Sequence, residues 1–339
     1  MKVWDFLISF LLSTLLAAEI QSERLPLWKI SGLYRHAVKG LSADSLQQVV
    51  LQTSFETFPD DRRFALLKQN PKTSTSPSPS PSQTAIFVPE SPQWLHKENF
   101  LCAFSNPQLM AQFQASYSIH VPDPSKESYA LPCDCMSSQP DGEGNFLKRC
   151  LLLRERSTNQ LVLGPVDLET MEGRAALANF FSRRANGLNL ACVTASTSAS
   201  QKHIHQFGNT SSGWKRNKDT RTVHIINSET VQQFAQRIRH QPLHPTRFRP
   251  NIIVTGPEPW SEFDWIGKKL QFGTMTLEVI SKTVRCEGVS IDPLDPASVL
   301  DIPKLLLQHF PDRGPYLGVY AVVRKAGNMA LGDEVKMLD

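Results

Sequence analysis

The stretch KKLQFGTMTLEVISKTVRCEGVSIDP, residues 268–293, contains two short strand-like segments followed by a single cysteine. Apolar and polar residues alternate in "KKLQFG" and in "TLEVISKTVRC", a pattern typical of strands with one buried face. Cys286 follows Arg285 at the end of the second segment and precedes an Asp-Pro pair. Taken alone, this cysteine could be a packed core thiol, half of a disulfide or a ligand.

The rest of the chain predicts a mainly β protein with a few helices. Short strand patterns recur in "LWKISGLYRHAVKG", "NIIVTG" and "VYAVVRK", and 24 prolines and 17 glycines in 339 residues favour short strands and turns. Many short strands indicate β-barrels or a sandwich rather than a doubly wound sheet. No Walker or GxGxxG pattern occurs, so a nucleotide cradle is not expected.

Three segments have the spacing of helices. Residues 167–184 have one apolar stripe at helical spacing, which predicts a helix that Gly187 ends. In "SETVQQFAQRI", the same spacing places Val231 and Phe234 on one face of a second helix. "SNPQLMAQFQAS" begins with a cap and a proline and continues with apolar residues up to Phe113, which predicts a helix that includes Phe113.

The charge of the chain is mildly basic. The net charge is +4 and the pI about 8.7, and the basic residues are scattered, so a nucleic-acid partner is not expected. A local cluster could still hold a small anion, and "RFRP" at 247–250 is one candidate.

The first residues indicate a targeting segment. Phe6 to Ala18 are mostly apolar, and as a helix they would rise ~20 Å, which is shorter than a ~30 Å hydrocarbon core. Residues 1–18 therefore predict a signal peptide that directs the chain to the secretory pathway or an organelle, with an N-terminal anchor as the alternative. Membrane association through residues 6–18 follows from that alternative. The Ser/Pro run at 71–83 predicts a solvated loop.

The chain has six cysteines. In an exported protein some of them could pair, and Cys133 or Cys135 with Cys150 would close a short loop. The pairing of Cys102, Cys133, Cys135, Cys150 and Cys192 stays open. Cys133 and Cys135 enclose one residue and no second pair has zinc-like spacing, so a zinc site is not expected there.

Several motifs, in this order, resemble the MOSC family. They are "LYRHAVKGLS", "FPDDRRFALL", "RFRPNIIVTGPEPWSEFDWIGKKLQFG", "VRCEGVSIDP" and "GPYLGVYAVVRKAGNMALGDEV". The family includes the C-terminal domain of molybdenum-cofactor sulfurases, and the chain also resembles the mitochondrial amidoxime-reducing component over roughly residues 27–338. The resemblance implies a MOSC N-terminal β-barrel domain at 26–187 and a MOSC β-barrel domain at 190–338.

The resemblance also implies a molybdenum cofactor, the metal held by Cys286 beside the dithiolene of a pyranopterin. Lys39, Arg62 and Arg249 are implied as the residues that hold the pterin and its phosphate. A soft thiolate suits molybdenum, and cationic side chains suit a phosphate. Without the resemblance, the cysteine would be read as a buried small hydrophobe and the three cations as solvated surface charges. Further cofactor contacts are implied at Asp219, Thr220, Asn251 and Arg285.

The implied function is reduction of N-hydroxylated or related small molecules by oxygen-atom abstraction at cysteine-ligated molybdenum. No flavin, haem or iron–sulfur motif is visible, so electrons would come from a separate donor protein. Two alternatives stay open: a sulfur carrier with a persulfide on Cys286, and a non-catalytic cofactor carrier or storage protein. Pyridoxal phosphate chemistry is not expected, because the chain lacks the large domain that performs it in full-length sulfurases.

The chain departs from the family pattern at three positions. Gly40 stands where the family often has serine, which removes one hydroxyl contact. Thr283 stands where amidoxime reducers have an additional cysteine, and Arg221 where they have a serine.

Overall fold

The protein is described by a computed structural model that covers residues 27–52, 54, 57–69, 93–94, 97–120, 148–194, 205–206 and 221–338. The predicted signal segment at 1–18 and the Ser/Pro run at 71–83 lie outside the described residues, as do Cys133, Cys135, Asp219 and Thr220. Within the described ranges, no helix has the length and apolar character required to cross a membrane.

Strands dominate the described ranges, and the prediction of a mainly β protein with a few helices is confirmed. The helices are α1 (Pro107–Ala111), α2 (Met171–Ser182), α3 (Ser228–Arg237) and α4 (Ile302–His309). The strands are β1 (Lys29–Arg35), β2 (Asp44–Ser45), β3 (Gln48–Leu51), β4 (Phe64–Lys68), β5 (Gln93–Trp94), β6 (Phe100–Leu101), β7 (Phe113–His120), β8 (Lys148–Glu155), β9 (Leu161–Asp167), β10 (Leu190–Thr194), β11 (His205–Gln206), β12 (Val223–Asn227), β13 (Ile252–Thr255), β14 (Lys269–Phe272), β15 (Met275–Val284), β16 (Tyr316–Lys325), β17 (Gly327–Ala330) and β18 (Val335–Leu338).

The largest sheet is a curled half-barrel of eight strands in the order β18-β14-β15-β16-β12-β13-β1-β2. β1 lies antiparallel to β13, so a strand from the predicted N-terminal domain is part of the sheet of the predicted MOSC domain. β3 pairs in the same way with β17. The boundary between the two predicted domains stays a prediction, but the hydrogen-bonded sheet crosses it.

The first hydrophobic core lies on one face of this sheet. Helix α3 covers it, and the Asn227 side chain caps the helix by accepting a hydrogen bond from the Glu229 amide. Phe234 on α3 is fully buried and contributes roughly 2–3 kcal/mol of hydrophobic burial. Helix α4 adds Ile302 and Leu306 to the same core.

A second core is built by the sheets β7-β8-β9 and β10-β4-β6 together with helix α2. Phe113, Phe180 and Phe181 meet edge to face in it, with ring centroids 5.1–5.6 Å apart. The predicted helix through Phe113 is wrong, because α1 ends at Ala111 and Phe113 begins β7. Pairing of β7 with β8 over its whole length outweighs the local helical spacing.

The segment that follows β1 passes from the first core to the second. Leu33 packs in the first core, whereas Val38 and Leu41 pack in the second. Residues 36–40 therefore lie between the two cores, at a seam where both halves of the chain meet.

Candidate functional site

Four loops meet at this seam. Lys39 and Gly40 follow β1, Arg62 precedes β4, Arg249 precedes β13 and Cys286 follows β15. Arg62 (φ 52°) and Arg249 (φ 56°) adopt the left-handed conformation, which costs a non-glycine residue about 1–3 kcal/mol. Strained backbone of this kind concentrates at functional sites, and here two such residues adjoin each other.

Gly40 is required for close packing at the seam. Its φ is +96°, and an added Cβ would come within 2.6 Å of the Cys102 Cα. Only glycine allows this approach, so the departure from the family serine has a structural reason in this chain.

Cys286 is exposed and begins a 3₁₀ turn over Glu287–Val289. Gly288 lies beside the thiol: a Cβ at this glycine would be 3.6 Å from the Cys286 Sγ and 3.7 Å from the Phe104 Cα. The thiol is open to solvent, and Gly288 beside it approaches Phe104 of the first half of the chain, so Cys286 is not a packed core thiol. Cys102, Cys150, Cys192 and Cys286 form no disulfide with one another. The ligand role of Cys286 stays a prediction.

Lys39 carries a buried charge without a counter-ion. Its side chain is 8% exposed, and among the described residues its Nζ makes no hydrogen bond or ion pair, with the Phe100 ring 5.9 Å away. Burial, together with the neighbouring Arg62 and Arg249, lowers the pKa of Lys39 to about 8, against the opposing effects of Cys102 and Cys286. A bound anion would stabilise this ammonium group.

Arg62 and Arg249 add two more cations. Arg62 pairs with Asp61 and donates a hydrogen bond to the Arg249 carbonyl at 3.4 Å. Arg249 donates to the carbonyls of Leu41 (2.9 Å) and Gly40 (3.5 Å), and burial together with the neighbouring Arg62 lowers its pKa to about 10. We call Lys39, Arg62 and Arg249 the cationic seam. Within the part of the chain that the structure describes, these three cations face one carboxylate, Asp61, so the seam has an excess of positive charge.

A small open cleft adjoins the cationic seam, and the roughly 370 Å³ of atom-free space along it includes open solvent. The first half of the chain lines it with Gly40, Met110 and Phe113, and the second half with Arg249, Gly288 and Ile291. One wall is therefore apolar and the other carries a guanidinium, and Gly288 brings the cleft to the Cys286 thiol. A molecule bound there would contact both halves.

Arg285, although predicted as a cofactor contact, is built into the scaffold. Its guanidinium is buried and donates to the carbonyls of Leu317 (2.8 Å) and Phe248 (3.0 Å) and to the His224 Nε2. These bonds fix the end of β15 just before Cys286. A contact between Arg285 and a bound group stays a prediction.

Asn251 also joins elements of the scaffold. Its amide Nδ2 donates to the Tyr34 carbonyl at 3.2 Å, and its Oδ1 accepts from the His224 amide at 3.1 Å. The side chain is fully buried, so it ties β1, β12 and β13 together. This agrees with a residue that shapes the entry to β13, and its predicted cofactor contact stays a prediction.

Sequence reasoning missed Arg247, which holds the segment after Cys286. Its guanidinium is buried and donates to the Ser290 carbonyl (2.7 Å) and the Ser298 Oγ (2.8 Å), and it pairs with Asp292 at 3.4 Å. The "RFRP" motif indicated Arg249 as an anion-binding residue. Only the structure shows that its other arginine, Arg247, has a different role. Sequence reasoning also missed two buried histidines, His36 and His224, and the Cys102 thiol beside Lys39.

The fold and site define a mainly β protein with an exposed thiol at a cationic cleft between two cores. Residues 203–336 match the family described as MOSC domain, and the resemblance to this family seen in the motifs is confirmed. The chain is similar to "Mitochondrial amidoxime reducing component 2" of Rattus norvegicus, at 26% identity over 132 residues that cover 36% of this chain and 38% of that protein. It is also similar to "Mitochondrial amidoxime-reducing component 1" of Homo sapiens, at 25% identity over 130 residues, 35% of this chain and 38% of that protein. The chain thus aligns with 38% of the length of these relatives.

Two solved structures match parts of the chain at low similarity. YiiM from Geobacillus stearothermophilus is 19% identical, with a TM-score of 0.28, over 34% of this chain and 54% of its own. The YUAD protein from Bacillus subtilis is 16% identical, with a TM-score of 0.25, over 34% of this chain and 62% of its own.

Proposed function

We propose that this chain binds a molybdenum cofactor at the cationic seam, with Cys286 as the metal ligand, and reduces N-hydroxylated or related small molecules. The observation that carries the proposal is that an exposed thiol, Cys286, lies near three cations contributed by both halves of the chain. Arg249 of this group and Gly288, which lies beside the thiol, line one cleft. The MOSC match and the similarity to proteins named amidoxime reducing component support it.

The residues present fit such a group. A cysteine thiolate is a soft donor of the kind molybdenum accepts. The Lys39 ammonium has no counter-ion among the described residues, and Arg62 and Arg249 offer planar donors of the geometry that a phosphate requires. Gly288 leaves the space beside the Cys286 Sγ without a side chain.

When bound, the cofactor would supply two-electron redox chemistry at molybdenum. The chain's own residues would bind and orient it. Cys286 would anchor the metal side, and the cationic seam would hold the anionic side. Met110 and Phe113 would keep one wall of the cleft apolar and exclude water there. The substrate would be a small molecule, and electrons would come from a separate donor protein.

Elemental analysis and pterin fluorescence of the purified full chain test this proposal. Wild type produced in a host that makes the cofactor is expected to carry molybdenum and pterin, and Cys286→Ser to lose the metal. Cys150→Ser is the matched control, because Cys150 lies on β8 away from the loops of the seam. The proposal is contradicted if wild type carries neither molybdenum nor pterin, or if Cys286→Ser carries as much molybdenum as wild type.

The exposure of Cys286 also favours a second function, that of a sulfur carrier. An accessible thiol can bear a persulfide, which intact-mass analysis would detect as one additional sulfur atom on Cys286. A persulfide in a preparation without pterin would support the carrier. A preparation with pterin that reduces no amidoxime or N-oxide would instead indicate a carrier or storage protein for the cofactor.

A further inference from the structure

Two buried histidines hold consecutive carbonyl groups at the Arg249–Pro250 turn. The His36 Nε2 lies 3.2 Å from the Pro250 carbonyl oxygen, and the His224 Nδ1 lies 3.2 Å from the Arg249 carbonyl oxygen. His36 is 1% exposed and follows β1, and His224 is 4% exposed on β12. The turn is therefore held from both sides, by side chains 188 positions apart in the sequence.

The partners determine which nitrogen of each ring carries hydrogen. A carbonyl oxygen only accepts, so the His36 Nε2 and the His224 Nδ1 must both donate. The guanidinium of Arg285 only donates, so the His224 Nε2 that faces it must accept. The two imidazoles therefore have opposite tautomers, Nε2–H at His36 and Nδ1–H at His224.

Both rings are also neutral. A proton on the His224 Nε2 would point at the Arg285 guanidinium, and the His36 Nδ1 is buried without a partner among the described residues. Burial lowers the pKa of both rings well below the usual value, and neighbouring arginines lower it further. Neutral donors add no charge to a seam that already has an excess of cations.

The turn needs such support because Arg249 is left-handed and precedes a proline, a combination that local backbone sterics disfavour. The Arg249 carbonyl also accepts the Arg62 hydrogen bond, so moving this peptide would move two cations of the seam together. The strained backbone persists because its surroundings over-determine it.

We propose that His36 and His224 are positioning residues, a pair of neutral hydrogen-bond donors of opposite tautomer that holds the Arg249 turn in its anion-binding conformation. This inference rests on the anion-binding role that the proposed function gives to the cationic seam. It concerns the orientation of Arg249 and requires no bound metal.

Amide side chains test the two tautomers separately. The Gln amide reaches the position of an imidazole Nε2, and the shorter Asn amide reaches the position of Nδ1. His36→Gln and His224→Asn should therefore keep the bond to the turn, whereas His36→Asn and His224→Gln should lose it. His244→Gln, at an exposed histidine, is the control.

The measurements are phosphate affinity by calorimetry at low ionic strength and the tautomers by ¹⁵N NMR of the histidine-labelled full chain, purified without cofactor. The two matching variants are expected to bind inorganic phosphate as wild type does. The two mismatched variants should bind about tenfold more weakly, the scale usual for residues that orient a ligand-binding group. Nε2–H at His36 and Nδ1–H at His224 should appear in the spectra.

Three results would overturn the inference. In the first, either ring shows the other tautomer. In the second, the variants that lose phosphate affinity are those that lose thermal stability, whichever position their side-chain amide occupies. In the third, all four variants bind phosphate equally. If wild type shows both tautomers as described but does not bind phosphate, the anion-binding role in the proposed function is overturned. This outcome differs from failure of the tautomer assignment, because the NMR spectra would still show the expected tautomers.

Discussion

Two clusters of buried charge lie side by side in this protein, and the four-residue run Asp60-Asp61-Arg62-Arg63 contributes to both. In the first cluster, the Asp60 Oδ2 accepts hydrogen bonds from the Arg149 Nε (2.8 Å) and the Tyr117 hydroxyl (2.9 Å). Glu169 pairs with both Arg63 and Arg149 at 3.0 Å. We call Asp60, Arg63, Arg149 and Glu169 the balanced network, because its two carboxylates match its two guanidiniums.

The cationic seam, built from the neighbouring Arg62 with Lys39 and Arg249, has no such balance. Burial alone would raise the pKa of Asp60, yet Arg149 and Arg63 lower it to about 2. In the seam, burial lowers the pKa of Lys39 to about 8, and no carboxylate in the described ranges offsets the effect. Adjacent residues thus differ in their surroundings: the charges of the network are paired within the fold, whereas the seam has an excess of positive charge, which under the proposed function a ligand would balance.

The largest expected effect comes from breaking the network. Asp60→Asn removes one charge and leaves Arg149 and Arg63 with too few carboxylates in a buried site. We expect the free energy of unfolding to fall by about 3–5 kcal/mol, the usual cost of removing one partner of a buried pair. Chemical denaturation measures it, and Glu278→Gln in the more exposed pair with Arg324 should cost less than about 1 kcal/mol.

A loss of less than about 1 kcal/mol in Asp60→Asn would mean that the network does not stabilise the fold. The pH dependence offers an independent check. Because the folded pKa of Asp60 lies below its unfolded value, its contribution should persist at neutral pH and be lost as the pH falls from about 4 towards about 2.

The seam should respond in the opposite direction. Lys39→Met removes a buried charge and keeps most of the side-chain volume, so the variant should be more stable at pH 7, by up to about 3 kcal/mol. Because folding lowers the pKa of Lys39, wild type should gain stability as the pH rises from about 8 to about 10.5. Thermal unfolding with and without phosphate measures both effects.

Phosphate should raise the unfolding temperature of wild type more than that of Lys39→Met, because the variant has lost one of its three cations. Lys304→Met, at an exposed position on α4, is the control and should change neither quantity. If Lys39→Met instead destabilises the protein and responds to phosphate as wild type does, the cationic seam stabilises the fold, as the balanced network does, and does not bind an anion.

Glu262 extends the comparison, because it is a fully buried carboxyl with no cation beside it among the residues that the structure describes. Thr230 donates to it at 2.7 Å and Asn227 at 3.1 Å, yet burial raises its pKa to about 7. The folded pKa exceeds the unfolded value, so wild type should lose stability as the pH rises from about 4.5 to about 7, by about 2–3 kcal/mol. Glu262→Gln should lack this slope in denaturation at several pH values.

If the free energy of unfolding of Glu262→Gln depends on pH as that of wild type does, other groups cause the pH dependence. The side chain lies at the first core, beside the buried Trp260 and Phe263, and it lines no part of the cleft. Uncompensated charge is therefore informative about function only where it adjoins a cleft, as the cationic seam does through Arg249 and Glu262 does not.

Sequence patterns succeeded where the deciding contacts are local. Alternation in "KKLQFG" and "TLEVISKTVRC" predicted β14 and β15, and helical spacing predicted α2 and α3. The prediction of a helix through Phe113 was wrong, because the pairing of β7 with β8 outweighed a helical pattern only one turn long. The position of β1 could not be read, because its partner β13 lies more than two hundred residues away.

The same limit applies to the site. The motifs indicated Lys39, Arg62, Arg249 and Cys286 one by one, and the structure brings them to one seam. His36 and His224 gave no signal, because a histidine among apolar strand residues looks like an ordinary core residue. Their partners, the carbonyls of Pro250 and Arg249, become neighbours only after folding.

The smallest expected change in stability is at Cys286. The thiol is exposed, so Cys286→Ser should alter the free energy of unfolding by less than about 0.5 kcal/mol. Cys192 is buried on β10 in the second core, and Cys192→Ser should cost about 1–3 kcal/mol because it buries a hydroxyl. Denaturation of both variants under the same conditions measures the difference.

Thiol labelling of the folded chain extends this contrast to reactivity. Cys286 should react with a maleimide at once, whereas burial raises the pKa of Cys192 to about 12, so that thiol should react only after unfolding. If Cys286 labels as slowly as Cys192 in the cofactor-free chain, the thiol is not accessible from the cleft. The cationic seam would then have no sulfur to place beside a bound metal, and its excess charge would need a different ligand to explain it.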